Sequence, residues 1–508
     1  MKSELGRRLD MAGRSRIPKT PHHTQSNVGA PSSIELGPEW VRKGNTWARG
    51  SVFLDGKWLE GDELANAAKS WTPAWLAAPG HWAIVHADGT MRSDSIRSFP
   101  IYYDSETISD QPGAFEAAPV ERYFVAQLLA FGYVLGNHSI RRGVSSIGPG
   151  QVIKDGKVEA IHRQFDTPEK EFSGSWRELL DRVLPQWWQR LGGRKALVPL
   201  SDGWDSRLLL ASLIEHHDDI TTYTYGPAGS RAVKDARAVA RASGVEWIHV
   251  PHSPSRWRRR VKTPAWHEYM RTAGGLTSLP TQQDAWSHQH LRDGGLDVSN
   301  AVSIPGHSGD FLGGSHLKPE TSYPREPPEL ARVLAAKHAK FWSPDQVESA
   351  LGIERAQDHW LAAIESFCQE RLSAGVPAWR VAESWNWTER QAKFIINHGR
   401  IAERWGLEWM APLWDPRIQD YWRSMSHADR FGKRRYDEGA AQLCHRAGIP
   451  GTPRRGKSWA QRRFPRVPHG LAGLAPRSVR KQLGYTKSNH VLAGWQWLQH
   501  NADLIESN

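Results

Sequence analysis

The sequence predicts an α/β protein built on a parallel sheet, with a largely helical C-terminal part and a smaller α+β domain in front of it. Three observations carry this. Between residues 196 and 250 the pattern runs strand, helix, strand, helix, strand, a βαβαβ order that demands parallel pairing. Short β-like runs punctuated by Gly, Asp and Pro fill residues 36 to about 165. Beyond residue 325, apolar residues recur at three- and four-residue intervals with few strand signals.

Residues 1–35 are basic and Ser/Pro-rich without an apolar segment, and read as a disordered tail rather than a secretory signal. Ser51-Val52-Phe53-Leu54, His81 to Val85 and Ile101-Tyr102-Tyr103 read as strands, and Pro119 to Phe131 as a helix. The charged, turn-forming stretch 166–175 ends this first domain, giving expected domains of 36–168 and 169–508. In the second domain, Ala196 to Leu200 is a buried strand, and Leu208, Leu209, Ser212 and Leu213 give Asp205 to His217 a helical spacing. Ile220 to Tyr225, Ala232 to Ser243 and Glu246 to Val250 complete the unit as strand, helix and strand.

Composition narrows the class. At 508 residues the chain exceeds what one hydrophobic core usually organises. A mean hydropathy of −0.59, with no apolar run near the roughly 20 residues that cross a bilayer, leads to the expectation of a soluble, cytoplasmic protein. Cys368 and Cys444 are the only cysteines and lie far apart, which excludes a disulfide scaffold and a Cys-rich zinc site. A net charge of +12 and a late basic run including Arg454, Arg455, Lys457, Arg462 and Arg463 raise nucleic-acid binding. No recognition motif accompanies the charge, so a solvated basic face is the expectation. The 26 Trp are scattered without a repeat period.

Chemistry concentrates at the turn Ser201-Asp202-Gly203-Trp204-Asp205-Ser206, which joins an apolar strand to a helix. Small and hydroxyl residues at a helix N-terminus suit a phosphate, because the first backbone N–H groups have no partner inside the helix. By spacing alone the same turn also reads as a tight turn with an N-cap. Neither GxxxxGK[ST] nor GxGxxG fits it.

VPLSDGWDSRLLLA resembles the SGGxDS pyrophosphate loop of the adenine-nucleotide α-hydrolase (PP-loop) superfamily. The stretch YTYGPAGSRAVKDARAVARASGVEWIHV resembles the region that follows it in asparagine synthetases. Gly306-His307-Ser308-Gly309-Asp310-Phe311-Leu312-Gly313-Gly314 resembles the GxGxDxxxGG segment of asparagine synthetases, β-lactam synthetase and lasso-peptide cyclases. Gly406 to Asp415 resembles their GxExRxPxxD segment. The three blocks occur in the family's order.

The resemblance implies ATP cleaved between the α and β phosphates, with Mg2+ held by Asp205 and Asp310. It implies nucleotide contacts at Leu200, Ser201, Asp202, Gly203, Asp205, Ser206, Tyr225, Pro305 and Gly306. Asp202 stands where the family loop has Gly and adds negative charge beside the phosphates. Lys457 falls where the family places a Lys aimed at the reacting phosphate; Arg455 and a mere basic surface run stay as alternatives. His307 varies within the family, and an imidazole there is suited to deprotonating an amine, with Glu408 as its orienting partner. A His that only bonds a neighbouring carbonyl is the other reading.

SIRSFPIYY and LLAFGYVLGNHSIRRGVSSIGPGQVI resemble the later part of the family's N-terminal, Ntn-like glutaminase domain. That domain uses a cysteine at position two, whereas this chain begins Met1-Lys2 and has no cysteine before Cys368. A degenerate, non-catalytic first domain is therefore expected. The resulting expectation is an AMP-forming amide ligase of the asparagine synthetase type, adenylating a small-molecule carboxylate and passing it to ammonia or an amine. A separate protein that supplies the amine or shares the pathway is the expected partner; the oligomeric state is left open. Amidation of a sugar acid in surface-polysaccharide synthesis is preferred among specialised outcomes, for the block ERQAKFIINHGRIAERWGLEWMAPLWD. An intramolecular β-lactam or lasso-type cyclase and a non-catalytic scaffold are the alternatives.

Overall fold

The computed structural model describes residues 31–161, 174–323, 325–451 and 489–502. Lys457 and most of the late basic run lie outside these, as does the expected boundary at 168/169.

The central element is a five-stranded, all-parallel sheet in the spatial order Glu246–Pro251, Ile220–Gly226, Lys195–Pro199, Ala301–Ser303, Glu408–Trp409. Its first three strands run outward in one direction from Lys195–Pro199 and the last two in the other. The order therefore reverses between Lys195–Pro199 and Ala301–Ser303, and a crevice opens outside the carboxyl ends of such adjacent strands. The helices Trp204–Leu213 and Arg231–Ala242 follow Lys195–Pro199 and Ile220–Gly226. Arg231–Ala242 is started by Ser230, whose side chain accepts from the Val233 N–H. Ala196, Leu197 and Val198 are fully buried, as a strand covered on both faces requires.

Ahead of this lies a seven-stranded antiparallel sheet including Thr46–Leu54 and Gly80–His86, and a four-stranded sheet including Tyr102–Tyr103. The expected first-domain strands and the helix, here Arg122–Phe131, are all present. Past Pro327 helices dominate, as the periodicity predicts.

Two hydrophobic clusters draw residues from both sides of the undescribed stretch 162–173. One cluster joins Val85, Ile96 and Ile153 to Trp187, Leu197 and Trp409. A second joins Phe124, Leu128 and Phe131 to Trp360, Trp385 and Trp405. His81 fastens the two parts: its Nε2 accepts from the Ala411 N–H at 3.0 Å, and its ring stacks on Trp409 at 4.6 Å. The abundant tryptophans are structural in large part, since Trp82, Trp187, Trp266, Trp360, Trp385, Trp387 and Trp422 are among the largest fully buried side chains.

Candidate active site

A single cleft of about 1400 Å³ opens at the carboxyl ends of the parallel strands. Leu200, Ser201, Asp202, Gly203, Asp205, Ser206, Tyr225, Pro305, Gly306, His307 and Asp310 all line it. Residues from three separate sequence blocks thus share one space, because the loops after Lys195–Pro199 and Ala301–Ser303 flank the point where strand order reverses.

The loop after the first strand is braced by its own hydroxyls. Ser206 Oγ accepts from the Ser201 N–H at 3.0 Å, and Ser201 Oγ accepts from the Gly203 N–H at 3.1 Å. Gly203 then caps the helix Trp204–Leu213 in extended conformation, leaving that helix's first N–H groups directed at the cleft. Arg207 feels the charge of Asp202. Its Nη1 donates to the carbonyls of Pro450 at 2.6 Å and Gly451 at 2.9 Å, drawing the end of that segment to the loop.

The second loop presses against the first. A Cβ on Gly306 would lie 2.8 Å from Ser206 N, and one on Gly309 would lie 2.6 Å from Asp205 Cγ. Only glycine permits this approach. Ser308, between them, holds a left-handed φ of 69°, a costly conformation for a residue with a Cβ. Its hydroxyl donates to Gln391 Oε1 at 2.7 Å. Gln391 is presented by a wide helical stretch of π geometry, Asn386–Ile395, a form that recurs at functional sites. Behind the loop, Arg430 donates to the Leu312 carbonyl at 3.0 Å and pairs with the fully buried Glu383.

Asp205 and Asp310 meet as a result. The Asp310 N–H donates to Asp205 Oδ2 at 3.1 Å. The Lys433 ammonium lies between carboxylates, paired with Asp310 and 3.5 Å from both Asp205 Oδ1 and Asp437 Oδ1. Burial pushes the Asp205 carboxyl up to about 6 and the Asp310 charge adds to this, while Lys433 opposes both. Asp205 Oδ1 is buried with no hydrogen-bond donor. Among the described residues no three or more His, Cys, Asp or Glu side chains are grouped to hold a metal unaided. A carboxylate pair beside a phosphate loop suits magnesium, which takes one or two carboxylates and completes its shell with phosphate oxygens and water.

Glu408 requires a correction. It is not His307's partner and does not line the cleft. It forms ion pairs with Arg190 and Arg194, and Arg190 also bonds Glu60 at 2.6 Å. The reason is strand direction: Glu408 opens its strand, paired with Val302, whereas His307 lies beyond the carboxyl end of the neighbouring strand. The carboxylate near His307 is Asp284, in the first turn of the helix Gln283–Asp293. Burial lowers His307's affinity for a proton, and Asp284 partly offsets this.

The sequence reading missed Lys433, just before the helix Arg434–Arg446, Tyr436 and Asp437 in its first turn, Asp284 and His288 on Gln283–Asp293, and His398 on Ile396–Arg400. Asp284 and His288 carried a legible signal, an i,i+4 pair on one helix face. Lys433 carried none, being one cation in the run Lys433-Arg434-Arg435.

Residues 191–436 match the family model described as asparagine synthase. No curated protein matches the chain.

Proposed function

We propose that this chain, whose residues 191–436 form an asparagine synthetase-like, ATP-dependent amide-ligase domain, joins a substrate carboxylate to a nitrogen nucleophile through an acyl-adenylate. The observation that carries this reading is the meeting of Asp205 and Asp310 beside the Ser201 to Ser206 loop, at the reversal of strand order.

The braced loop and the helix N-terminus behind it bind the nucleotide's phosphates. Leu200, Tyr225, Pro305 and Gly306 enclose the nucleoside. Asp205 and Asp310 would hold magnesium, which when bound supplies positive charge against the developing charge of the departing pyrophosphate. A carboxylate oxygen of the substrate attacks the α-phosphorus, the bond to the β-phosphate bridge breaks, and pyrophosphate leaves. The nitrogen nucleophile then attacks the acyl carbon, the bond to AMP breaks, and His307 receives the proton shed by the nitrogen. Lys457 is the proposed cation at the reacting phosphate. Residues 31–161 offer no thiol for releasing ammonia from glutamine, so the nitrogen enters from outside the chain.

The test is full-length protein with Mg2+ and ATP labelled at the α-phosphate, challenged with amino acids and sugar acids in the presence of ammonium or hydroxylamine. AMP and pyrophosphate formed only when one of these carboxylates is present support the reading. Release of ADP and phosphate, or no carboxylate-dependent turnover, contradicts it.

A further inference from the structure

The cleft continues past the nucleotide loops into a chamber walled by Tyr225, Asp284, His288, His307 and His398. At its centre is one carboxylate. Thr281 Oγ1 donates to Asp284 Oδ2 at 2.8 Å, His398 Nδ1 lies 4.0 Å from it, and the Asp284 charge pushes the Tyr225 hydroxyl's proton affinity up. No Lys or Arg forms an ion pair with Asp284 among the described residues. A carboxylate taken out of water without a Lys or Arg beside it is a costly arrangement unless a cation comes to meet it.

Burial lowers His288 to about 4 against the opposing pull of Asp284, and burial likewise lowers His307. His288 is 2% exposed, its Nε2 bonds the Tyr223 hydroxyl at 3.2 Å, and its buried Nδ1 has no hydrogen-bond partner. His307 Nδ1 is likewise buried without one. Burial pushes the Asp284 carboxyl up, but the neighbouring His398 and His307 and the Thr281 hydroxyl outweigh that and hold it below the ordinary carboxylate value. The chamber is thus a negative charge with hydrogen-bonding nitrogens beside it, in a cleft of about 1400 Å³, where ordinary ligand pockets are roughly 300–1,000 Å³.

We propose that Asp284 is the anchor for the ammonium group of the nitrogen substrate, so that the chamber of Tyr225, His288, His307 and His398 is the nucleophile subsite. This rests on the amide-ligase reading above and adds to it the recognition of the amine. The ammonium arrives charged and pairs with Asp284. It gives one proton to His307 and attacks the acyl carbon through the freed lone pair. The bond to AMP breaks, and the second proton goes to solvent. Two sources share this chemistry, free ammonium and an organic primary amine, and the space beyond the nucleotide loops admits either.

The test is thermal denaturation of the full chain, alone and saturated with Mg2+ and α,β-methylene-ATP, in the presence of ammonium chloride, ethanolamine, putrescine, glucosamine or lysine. Each organic amine is compared with its hydroxyl counterpart at equal ionic strength. At least one amine, or ammonium itself, is expected to raise Tm where the hydroxyl compound does not, and this identifies the source. Asp284→Asn is expected to weaken that binding at least tenfold while α,β-methylene-ATP still binds. Asp284→Glu, which restores charge, is expected to recover part of it. The unliganded Asp284→Asn protein should melt at the wild-type temperature or above, since it loses an uncompensated charge; a merely structural carboxylate would lower it. Equal response to amines and alcohols, or parallel loss of nucleotide and amine binding in Asp284→Asn, overturns the proposal. Failure of the wild type to bind the nucleotide, with amine binding intact, instead strikes the ligase reading.

Discussion

The backbone N–H of Asp310 donates to the Asp205 carboxylate at 3.1 Å, although 105 residues separate them in the chain. This one bond fixes the distance between two loops that rise from neighbouring parallel strands. It also aims Asp310, 68% exposed, into the cleft while Asp205 stays largely covered.

Asp310→Asn is expected to lower carboxylate-dependent pyrophosphate release by roughly 10²–10³-fold, the scale of losing one preorganised electrostatic contact to a transition state. The protein should keep its fold, because the Asp310 N–H bond to Asp205 survives the change. Steady-state pyrophosphate assays beside a thermal melt check both halves.

Gly309→Ala tests the closeness of the loops. The added methyl carbon would sit 2.1 Å from the Tyr436 hydroxyl and 2.6 Å from Asp205 Cγ. Such overpacking typically costs about 1–3 kcal/mol, so a lower Tm and weakened nucleotide binding are expected together. Gly113→Ala, where a Cβ meets nothing within 4 Å, is the neutral control.

His307→Ala should spare adenylation and slow amide formation, whereas Glu408→Gln should leave amide formation unchanged, since Glu408 faces Arg190 and Arg194. Separate measurement of pyrophosphate release and amide product distinguishes the steps. Slowed amide formation in the Glu408 variant would contradict the placement described for it.

Glu383 and Arg430, both fully buried, support the second loop from behind. Burial pushes the Glu383 carboxyl up, but the Arg430 guanidinium and the His316 ring overcome it and bring it down to about 2. A depressed carboxyl stabilises the fold above its ordinary value of 4.5, and that contribution is lost as pH falls toward 2. Glu383→Gln should therefore cost about 3–5 kcal/mol near neutrality by stranding Arg430, with the gap in Tm from wild type narrowing below pH 4.5. A constant gap from pH 7 to pH 3 would contradict the ion pair's role.

Lys433 among three carboxylates predicts a metal response. Lys433→Gln should destabilise the unliganded protein by leaving Asp205, Asp310 and Asp437 to repel one another, and added Mg2+ should raise its Tm more than it raises that of wild type. Melting curves with and without MgCl2 decide it.

The parallel sheet was legible because strands buried on both faces read as short apolar runs such as Ala196-Leu197-Val198, and the loop after it because hydroxyl and glycine residues cluster there. His307 and Asp310 followed from the resemblance of Gly306 to Gly314 to a segment of the asparagine synthetases. Glu408 was misplaced because spacing alone ignores strand direction: in a parallel sheet the chemistry lies past the carboxyl ends, and Glu408 begins its strand. Lys433 was hidden because its approach to the carboxylates depends on the left-handed backbone of Gly432 and of Lys433 itself, with φ of 77° and 63°, which no local pattern announces. Asp284 and His288 were legible as an i,i+4 pair, but the approach of His307 and His398 to Asp284 is set only by the fold.

The most direct measurement is calorimetric titration of the full chain with α,β-methylene-ATP in Mg2+ and in EDTA, for wild type and for Asp205→Asn combined with Asp310→Asn. Binding in wild type that requires Mg2+ and disappears in the double variant is the predicted result. Binding that is indifferent to Mg2+, or unchanged when both carboxylates are neutralised, would contradict the claim that these two residues share a metal with the nucleotide.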